Sequence, residues 1–499
     1  MVIDARDHSL SPELERARRE IEQYARDYGL DFYKTIFEML DFEEMNMVAA
    51  YGGFPNRYPH WKFGMEYQRL NKSYAYGLHK IYEMVINNDP CYAYLLECNH
   101  MVDQKLVMAH VFGHCDFFKN NVWYSKTNRK MMDTMANHAT KIRKYIDKYG
   151  LDAVESFIDI CLSVDDLIDH HAPFIERRPR LAKDSSGDEP AMVKKLASSE
   201  YMDEFINPKA FLDSQKQKLE DDKRRRRRFP ETPQKDVLLF LLENAPIENW
   251  QRDTLWMIRE EAYYFAPQGQ TKIMNEGWAT YWHAKIMTER ALTDSEVIDF
   301  ADHHSGTVAM HPGQINPYKL GFELWKDIED RWNRGKFGKE YDDCDDYMTK
   351  REWNKDLGAG REKIFETRRV HNDITFIDAF FTEEFCNDHR FFIYQYNPER
   401  HGYEVADRNW KSVKAKLLNG LTNFGQPFIY VVDGNFENRG ELLLEHRHEG
   451  IDLRIDYAKD TLTNLFQVWS RTVHLKTSVE GKAKMFSFDG DEHTDSRLD

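Results

Sequence analysis

The stretch of sequence that decides the fold of the first half of the chain is residues 102–118, VDQKLVMAHVFGHCDFF. Its length and the spacing of its apolar residues predict a helix, and the run Cys91 to Leu96 before it predicts a short strand. Within this helix His110 and His114 are four residues apart, so both imidazoles lie on one face and can hold one metal ion. Two helix histidines with this spacing can also be hydrogen-bonded without a metal. Both interpretations, a metal site and a hydrogen-bonded pair, stay open here.

A second predicted helix, Asn275 to Met287, offers further ligands. Glu276 would add a carboxylate, and His283, seven residues later, lies on the same face. We therefore predict a metal site formed by His110, His114 and Glu276. Zinc is the expected divalent metal, with iron and manganese as alternatives.

The helix pair is similar to that of zinc metallopeptidases, with one departure. In those enzymes a glutamate directly after the first histidine accepts a proton from the attacking water, whereas this position is Val111 here. If the protein hydrolyses a bond, another group must accept this proton, and the candidates are Glu260, Glu261 and His283. The neighbouring pair at residues 303 and 304 is a poor chelate, because adjacent side chains diverge on a helix.

Composition excludes several classes of protein. The 499 residues include 69 Lys and Arg against 85 Asp and Glu, and the formal charge of -16 opposes broad binding to nucleic acid or anionic membranes. Aromatic residues make up 14% of the chain, which indicates a packed globular protein. No apolar run reaches the roughly 18 residues that cross a bilayer. We find no phosphate loop, nucleophile elbow or dinucleotide fingerprint.

The six cysteines form no C-x-x-C pair, and the amino terminus lacks a basic segment followed by an apolar one. Reduced cysteines and no cleaved signal peptide are therefore expected, which favours a cytoplasmic location.

The predicted fold class is mainly α, of the α+β type. Residues 1–368 are expected to form a large helical domain, with a charged insertion at about 187–235. The block Arg224 to Arg228 in that insertion is either a solvated charge run or a contact for phosphate or an acidic partner. Short β-prone runs predict a smaller α/β domain over residues 369–480. The polar residues 481–499 are expected to be a disordered tail.

Several longer motifs resemble the SpoVR-like family (stage V sporulation protein R), a bacterial family. They are Tyr51 to Pro55, Met108 to His114, Ile273 to Ala279 and Val431 to Asn435. The resemblance implies a role in spore cortex or cell-envelope formation or in a stress response. It also implies a serine protein kinase and a von Willebrand factor A-type protein as partners.

Two hypotheses about function follow. The first is a zincin-like, metal-dependent hydrolase of a peptide-like bond, with a peptide or a cell-wall-related molecule as substrate. The second is a non-catalytic regulatory or scaffold protein that acts with the kinase system. Val111 favours the second, because valine cannot take a proton.

Overall fold

The computed structural model describes residues 8–75, 83–176, 208–209, 211–217, 229–310 and 314–498. They divide into two compact units, which are described separately. The first comprises Met1–Leu151 and Tyr263–Gly425, and the second comprises Asp152–Ala262 and Gln426–Asp499. The predicted mainly α fold with smaller sheets is confirmed. The block Arg224 to Arg228 and most of the predicted insertion lie outside the described residues.

In chain order the helices are α1 (Pro12–Asp27), α2 (Phe42–Ala50), α3 (Trp61–Ala75), α4 (Met101–Asn120), α5 (Met131–Tyr149), α6 (Leu151–Leu162), α7 (Val237–Asn244), α8 (Asn249–Gln270), α9 (Lys272–Ile286), α10 (Val297–Thr307), α11 (Pro317–Arg334), α12 (Lys339–Asp342), α13 (Tyr347–Glu352), α14 (Gly360–Val370), α15 (Asp373–Phe380), α16 (Glu383–Asp388), α17 (Trp410–Leu421) and α18 (Ile455–Trp469). The strands are β1 (Thr35–Leu40), β2 (Glu83–Ile86), β3 (Cys91–Leu96), β4 (Ile393–Asn397), β5 (Gly402–Asp407), β6 (Ile429–Phe436), β7 (Glu441–His446), β8 (Val473–Val479), β9 (Lys482–Phe488) and β10 (His493–Arg497). Among the described helices, none is long and apolar enough to span a lipid bilayer.

Helix α4 is the centre of the first unit. Nearly every residue from Val102 to Phe118 is buried, as expected for a helix with apolar residues on all sides. The strand before it, β3, pairs in parallel with β1 from Cys91 opposite Thr35, and antiparallel with β2. The predicted strand and helix in this part of the sequence are therefore confirmed.

Glycines let the helices around α4 approach until their backbones touch. A Cβ atom added to Gly113 of α4 would lie 2.7 Å from the Cα atom of Ala279 on α9. A Cβ atom added to Gly277 of α9 would lie 2.4 Å from the Cα atom of Gly321 on α11. Such distances are far inside van der Waals contact, so side chains are excluded at both crossings. Helices α4, α9 and α11 are thus held at backbone distance.

A buried carboxylate, Asp116, ties α4 to its neighbours. It accepts hydrogen bonds from the indole N–H of Trp278, the guanidinium of Arg368 and the backbone N–H of Asp31, each at 2.8 Å. Burial raises the pKa of Asp116 to about 6, so the carboxylate is ionised at neutral pH and pairs with the arginine. The rotation of α4 and α9 is fixed by this network.

The last of the three boundaries between the units falls between residues 425 and 426, whereas the sequence predicted that a C-terminal domain begins at residue 369. Residues after 369 belong to the first unit because Phe376, Phe380, Phe385 and Leu417 are buried in its main apolar core. The predicted boundary rested on the β-prone runs after Arg369. Within residues 369–425, however, only β4 and β5 are strands.

The second unit contains a five-stranded sheet with the order β10-β9-β8-β7-β6. Strands β7 and β8 are parallel, and the other neighbours are antiparallel. The tail predicted as disordered is instead largely strand, since β9 and β10 lie in this sheet. Phe486 and Phe488 of β9 are buried, and the ring of Phe488 lies 5.4 Å from that of Phe466 on α18.

Candidate metal centre

The three predicted ligands come together where α4 crosses α9. Glu276 Oε2 lies 3.6 Å from His110 Nε2 and 3.5 Å from His114 Nε2. One ligand atom from each of the three side chains lies within 4.8 Å of the others. Both histidines are buried, and Glu276 is partly buried. Among the described residues this is the only such group of three potential ligands.

These separations fit a shared metal ion better than direct hydrogen bonds. A charge-assisted N–H···O bond is about 2.7–2.9 Å long, which is well below the observed distances. Two ligands of a tetrahedral zinc ion, each bonded at about 2.0–2.1 Å, are about 3.3–3.4 Å apart. Glu276 Oε2 is buried and has no hydrogen-bond donor of regular geometry among the described residues. The residues therefore fit a divalent ion with one coordination position left open.

Asn275 sets the ring orientation of His114. Its side-chain oxygen lies 2.9 Å from His114 Nδ1, and an amide oxygen only accepts hydrogen bonds. The proton of the neutral ring is therefore on Nδ1, and the lone pair of Nε2 faces Glu276. This is the usual arrangement behind a metal-binding histidine. Neighbouring residues at the start of α9 thus supply one ligand and orient another.

A chain of histidines lies behind His110. His110 Nδ1 lies 2.9 Å from His283 Nδ1, and His283 Nε2 lies 3.0 Å from His304 Nδ1. All three rings can be neutral if His110 donates its Nδ1–H to His283 and His283 donates its Nε2–H to His304. This arrangement leaves the lone pair of His110 Nε2 for the ion. His283, predicted as a catalytic candidate, is fully buried and orients His110 in this geometry. A catalytic role for it stays a prediction.

Burial keeps His114 and His283 neutral. It lowers the pKa of His114 to about 4, with His110 as the second cause, and the pKa of His283 far below its ordinary value. Burial alone would raise the pKa of Glu276, but the facing imidazoles of His110 and His114 outweigh it and lower that pKa. A neutral His114 ring therefore faces the ionised carboxylate of Glu276 at neutral pH, and these are the protonation states that metal ligands require.

Acidification should destabilise the metal-free protein. The folded-state pKa of His114 is about 4, against 6.5 in the unfolded chain. Between these pH values the unfolded state binds more protons than the folded state. The contribution of His114 to the free energy of unfolding is therefore fully present above pH 6.5 and is lost as the pH falls toward 4. We expect the free energy of unfolding to drop by about 1–3 kcal/mol over this window. Urea denaturation in chelator should show a smaller drop for His114→Gln, and identical pH profiles would contradict the assignment.

The amino-terminal end of α9 is fixed by Asp373. Its carboxylate accepts hydrogen bonds from the backbone N–H groups of Ile273 and Met274, at 2.8 and 2.9 Å. Burial raises the pKa of Asp373 to about 7, while the positive end of the helix favours its ionised form. The turn that carries Glu276 is thereby held in place.

A cavity of about 420 Å³ lies beside His110 and His283. Its polar lining also includes Asp103, Asp302, His303, and Tyr318. The Nδ1 atom of His303 lies 2.5 Å from the carboxylate of Asp103. A volume in this range suits a small ligand or part of a larger one.

Sequence reasoning missed several of these contacts. It predicted that His303 and His304 diverge, and they do have different partners, Asp103 and His283. The only available signal for Asp103 was its position seven residues before His110, on the same helix face. Asn275 lies in the family motif Ile273 to Ala279, but neither it nor Tyr318 carried a chemical signal of its own.

The other predicted proton acceptors, Glu260 and Glu261, lie on α8 within the second unit, and Glu261 is buried. Because the His-His-Glu cluster lies in the first unit, the geometry of that unit gives no distance between these carboxylates and the cluster. Their proposed role stays a prediction.

These features define a class of mainly helical proteins in which two crossing helices present a His-His-Glu cluster beside a cavity. The chain belongs to the SpoVR family. The family model described as SpoVR like protein matches residues 8–426, and the model for the SpoVR-like C-terminal domain matches residues 427–480. The change between the two models falls next to the boundary of the compact units.

A relative from Escherichia coli (strain K12), described as "Uncharacterized protein YcgB", is 31% identical over 494 residues. The match covers 92% of this chain and 91% of the relative. No solved structure matches the chain.

Proposed function

We propose that this protein is a metal-dependent hydrolase of an amide or peptide-like bond. The observation that carries the proposal is the convergence of His110, His114 and Glu276 at separations that suit ligands of one ion. Structural zinc sites are usually closed by four protein ligands, whereas catalytic ones have three and an open position. Three ligands among the described residues favour the catalytic kind.

Each residue of the cluster has a distinct part in this proposal. A divalent ion bound there would polarise the scissile carbonyl and make water a better nucleophile. Asn275 and His283 hold the rings of His114 and His110 in their ligating orientations. The protein thus supplies a rigid set of donors next to a substrate-sized cavity.

The cavity lining favours a particular chemistry of substrate. It includes the carboxylates of Asp103 and Asp302 and, among the described residues, no lysine or arginine. Phosphate and other anions would meet like charge, whereas a neutral amide or a cationic amine would not. A soluble peptide or wall-precursor fragment agrees with this lining and with the role in cortex or envelope formation that the family resemblance implies.

A second candidate function is non-catalytic regulation, acting with a serine protein kinase and a von Willebrand factor A-type protein in sporulation or stress response. The observation that favours it is Val111, which is 0% exposed and packed within the apolar core of the first unit. The position that carries the general base in zinc metallopeptidases therefore offers no proton acceptor here. Bound metal would then serve stability or signalling.

The proposal is tested by measuring metal-dependent hydrolysis of peptides and of cell-wall fragments. Protein loaded with zinc, manganese or iron is incubated with a peptide library and with soluble wall fragments, and new termini are identified by mass spectrometry. We expect metal-dependent cleavage that is lost with chelator and in Glu276→Gln, because that variant loses the anionic ligand. His100→Gln, an exposed position at the start of α4, is the matched control.

Equal cleavage by wild type and Glu276→Gln would point to a contaminating protease. No cleavage by protein that holds stoichiometric metal would favour the regulatory function.

A further inference from the structure

We infer that the cavity beside His110 binds the side chain of a lysine-type residue, whose ammonium group is held by the buried carboxylate of Asp103. A lysine-type residue is one whose aliphatic chain of about four carbons ends in a primary amine. The inference rests on the proposed function, because it names the substrate of that site as a peptide with such a residue next to the bond that is cleaved.

Four residues of the cavity lining form a stripe along one face of α4. They are Asp103, Leu106, Val107 and His110. The last three follow Asp103 by three, four and seven positions, which places all four on the same side of a helix. A carboxylate lies at one end of the stripe, two apolar side chains lie in the middle, and a candidate metal ligand lies at the other end. A ligand along this stripe would meet negative charge, then hydrocarbon, then the metal centre.

The length of the stripe fits a lysine-type side chain. An α-helix rises about 1.5 Å per residue, so Asp103 and His110 are separated by about 10 Å along α4. An extended lysine-type chain reaches about 6 Å from its Cα atom, and a charge-assisted bond to a carboxylate adds about 2.8 Å. The carbonyl group of the same residue would then lie beside His110. An α-amino group is only about 2.5 Å from the carbonyl carbon of its residue, which is too short for this span.

Asp103 is a buried carboxylate to which no described residue donates a hydrogen bond. It is 4% exposed. Its Oδ1 lies 2.5 Å from His303 Nδ1, but this contact does not have the geometry of a hydrogen bond. The ammonium of Lys105, two residues further along α4, is bonded to Glu296 at 2.9 Å instead. Burying a carboxylate is costly unless it is paired. An ammonium group in the cavity would supply the charge and the N–H donors that Asp103 lacks.

The rest of the lining favours an organic cation over a second metal ion. Asp302 of α10 adds another carboxylate, and the described lining contains no lysine or arginine. Among the described residues only the His-His-Glu cluster brings three potential ligands close enough to share an ion, so Asp103, Asp302 and His303 do not form a chelate. A divalent ion needs several ligands at once, whereas an ammonium on a flexible chain can bind a single carboxylate.

The test compares N-acetyl-lysinamide with N-acetyl-norleucinamide, which has a similar carbon chain without the charge. Affinities are measured by NMR titration of the full-length protein, both as purified and after chelation. We expect wild type to bind the lysine compound about 10-fold more tightly or better, because a charge-assisted hydrogen bond is formed. This preference should disappear in Asp103→Asn. It should persist in Asp299→Asn, which changes an exposed acidic residue of α10 outside the cavity lining.

A second pair of variants tests the cavity without changing a charge. Gly306 of α10 lines the cavity, and a Cβ atom added there has no described atom within 4 Å. Gly306→Phe should therefore occupy the cavity and weaken binding of both compounds about 10-fold or more. Gly306→Ala should bind both compounds as wild type does. Circular dichroism establishes that each variant is folded.

Equal binding of the two compounds by wild type would overturn the inference, and so would a lysine preference that persists in Asp103→Asn. In the cleavage assay, peptides with lysine at the scissile carbonyl should be cut about 10-fold faster than peptides with norleucine there. Metal-dependent cleavage without this preference would remove the inference and keep the proposed function. A lysine preference that Asp103→Asn abolishes, in a protein that cleaves nothing, would support the amine site and remove the proposed function.

Discussion

Replacing His110 and His114 together by alanine is expected to remove a stoichiometric divalent ion from the protein. Purified without a histidine tag or chelator, the wild type should hold about one equivalent of zinc, iron or manganese by elemental analysis. The double variant should hold below about one tenth of an equivalent, because a single carboxylate cannot replace two imidazole ligands. Reconstitution with excess zinc followed by desalting should leave this difference unchanged.

The control for this experiment is His100→Ala, which changes the exposed histidine directly before the same helix and should keep its metal. Circular dichroism establishes that the double variant is folded, so that metal loss is not secondary to unfolding. Equal metal in wild type and double variant would place the ion elsewhere. Metal in neither protein, even after reconstitution, would leave the regulatory function as the better account.

Substituting Gly277 by alanine is expected to have the largest effect on stability. The new Cβ atom would lie 2.4 Å from both the Cα and the carbonyl carbon of Gly321. Backbone atoms cannot rotate away as a side chain can, so α9 and α11 must separate and the packing around Trp278 must loosen. We expect a loss of about 4 kcal/mol or more, which is beyond the usual cost of overpacking.

Urea denaturation of Gly277→Ala and Gly64→Ala provides the comparison. Gly64 lies in α3 with no atom within 4 Å of the added Cβ, so alanine there should be neutral or stabilising by up to about 1 kcal/mol. A Gly277→Ala protein as stable as wild type would show that the helices are farther apart than described.

The parts of the fold that follow from local pattern were predictable from the sequence. Cys91 to Leu96 and residues 102–118 form the predicted strand and helix. The spacing of His110 and His114, with Glu276 on a second helix, was enough to predict which side chains meet. Whether they bind metal stays a prediction, because helix histidines with this spacing can also be hydrogen-bonded without a metal.

Other features depend on contacts between distant parts of the sequence. Asp103 and His303 are brought together only by packing of α10 against α4, and no motif links them. The strands at residues 482–497 were not predicted, because exposed polar side chains surround Phe486 and Phe488 and dominate the local composition. Residues 369–425 lie in the first compact unit, whereas the predicted domain boundary followed their content of aromatic residues, which is also typical of β-prone sequence.

The contact between Gly113 and Ala279 has a consequence for which ion the proposed metal centre would accept. Gly113 precedes His114, and Ala279 lies one turn after Glu276, so the point where the backbones touch is adjacent to ligands on both helices. Calcium forms bonds of about 2.3–2.6 Å and needs six or more oxygen ligands. Helices in backbone contact hold a compact set of donors at a fixed separation. We therefore expect any ion bound at this crossing to be a small transition-metal ion rather than calcium, because both ionic radius and donor chemistry favour it.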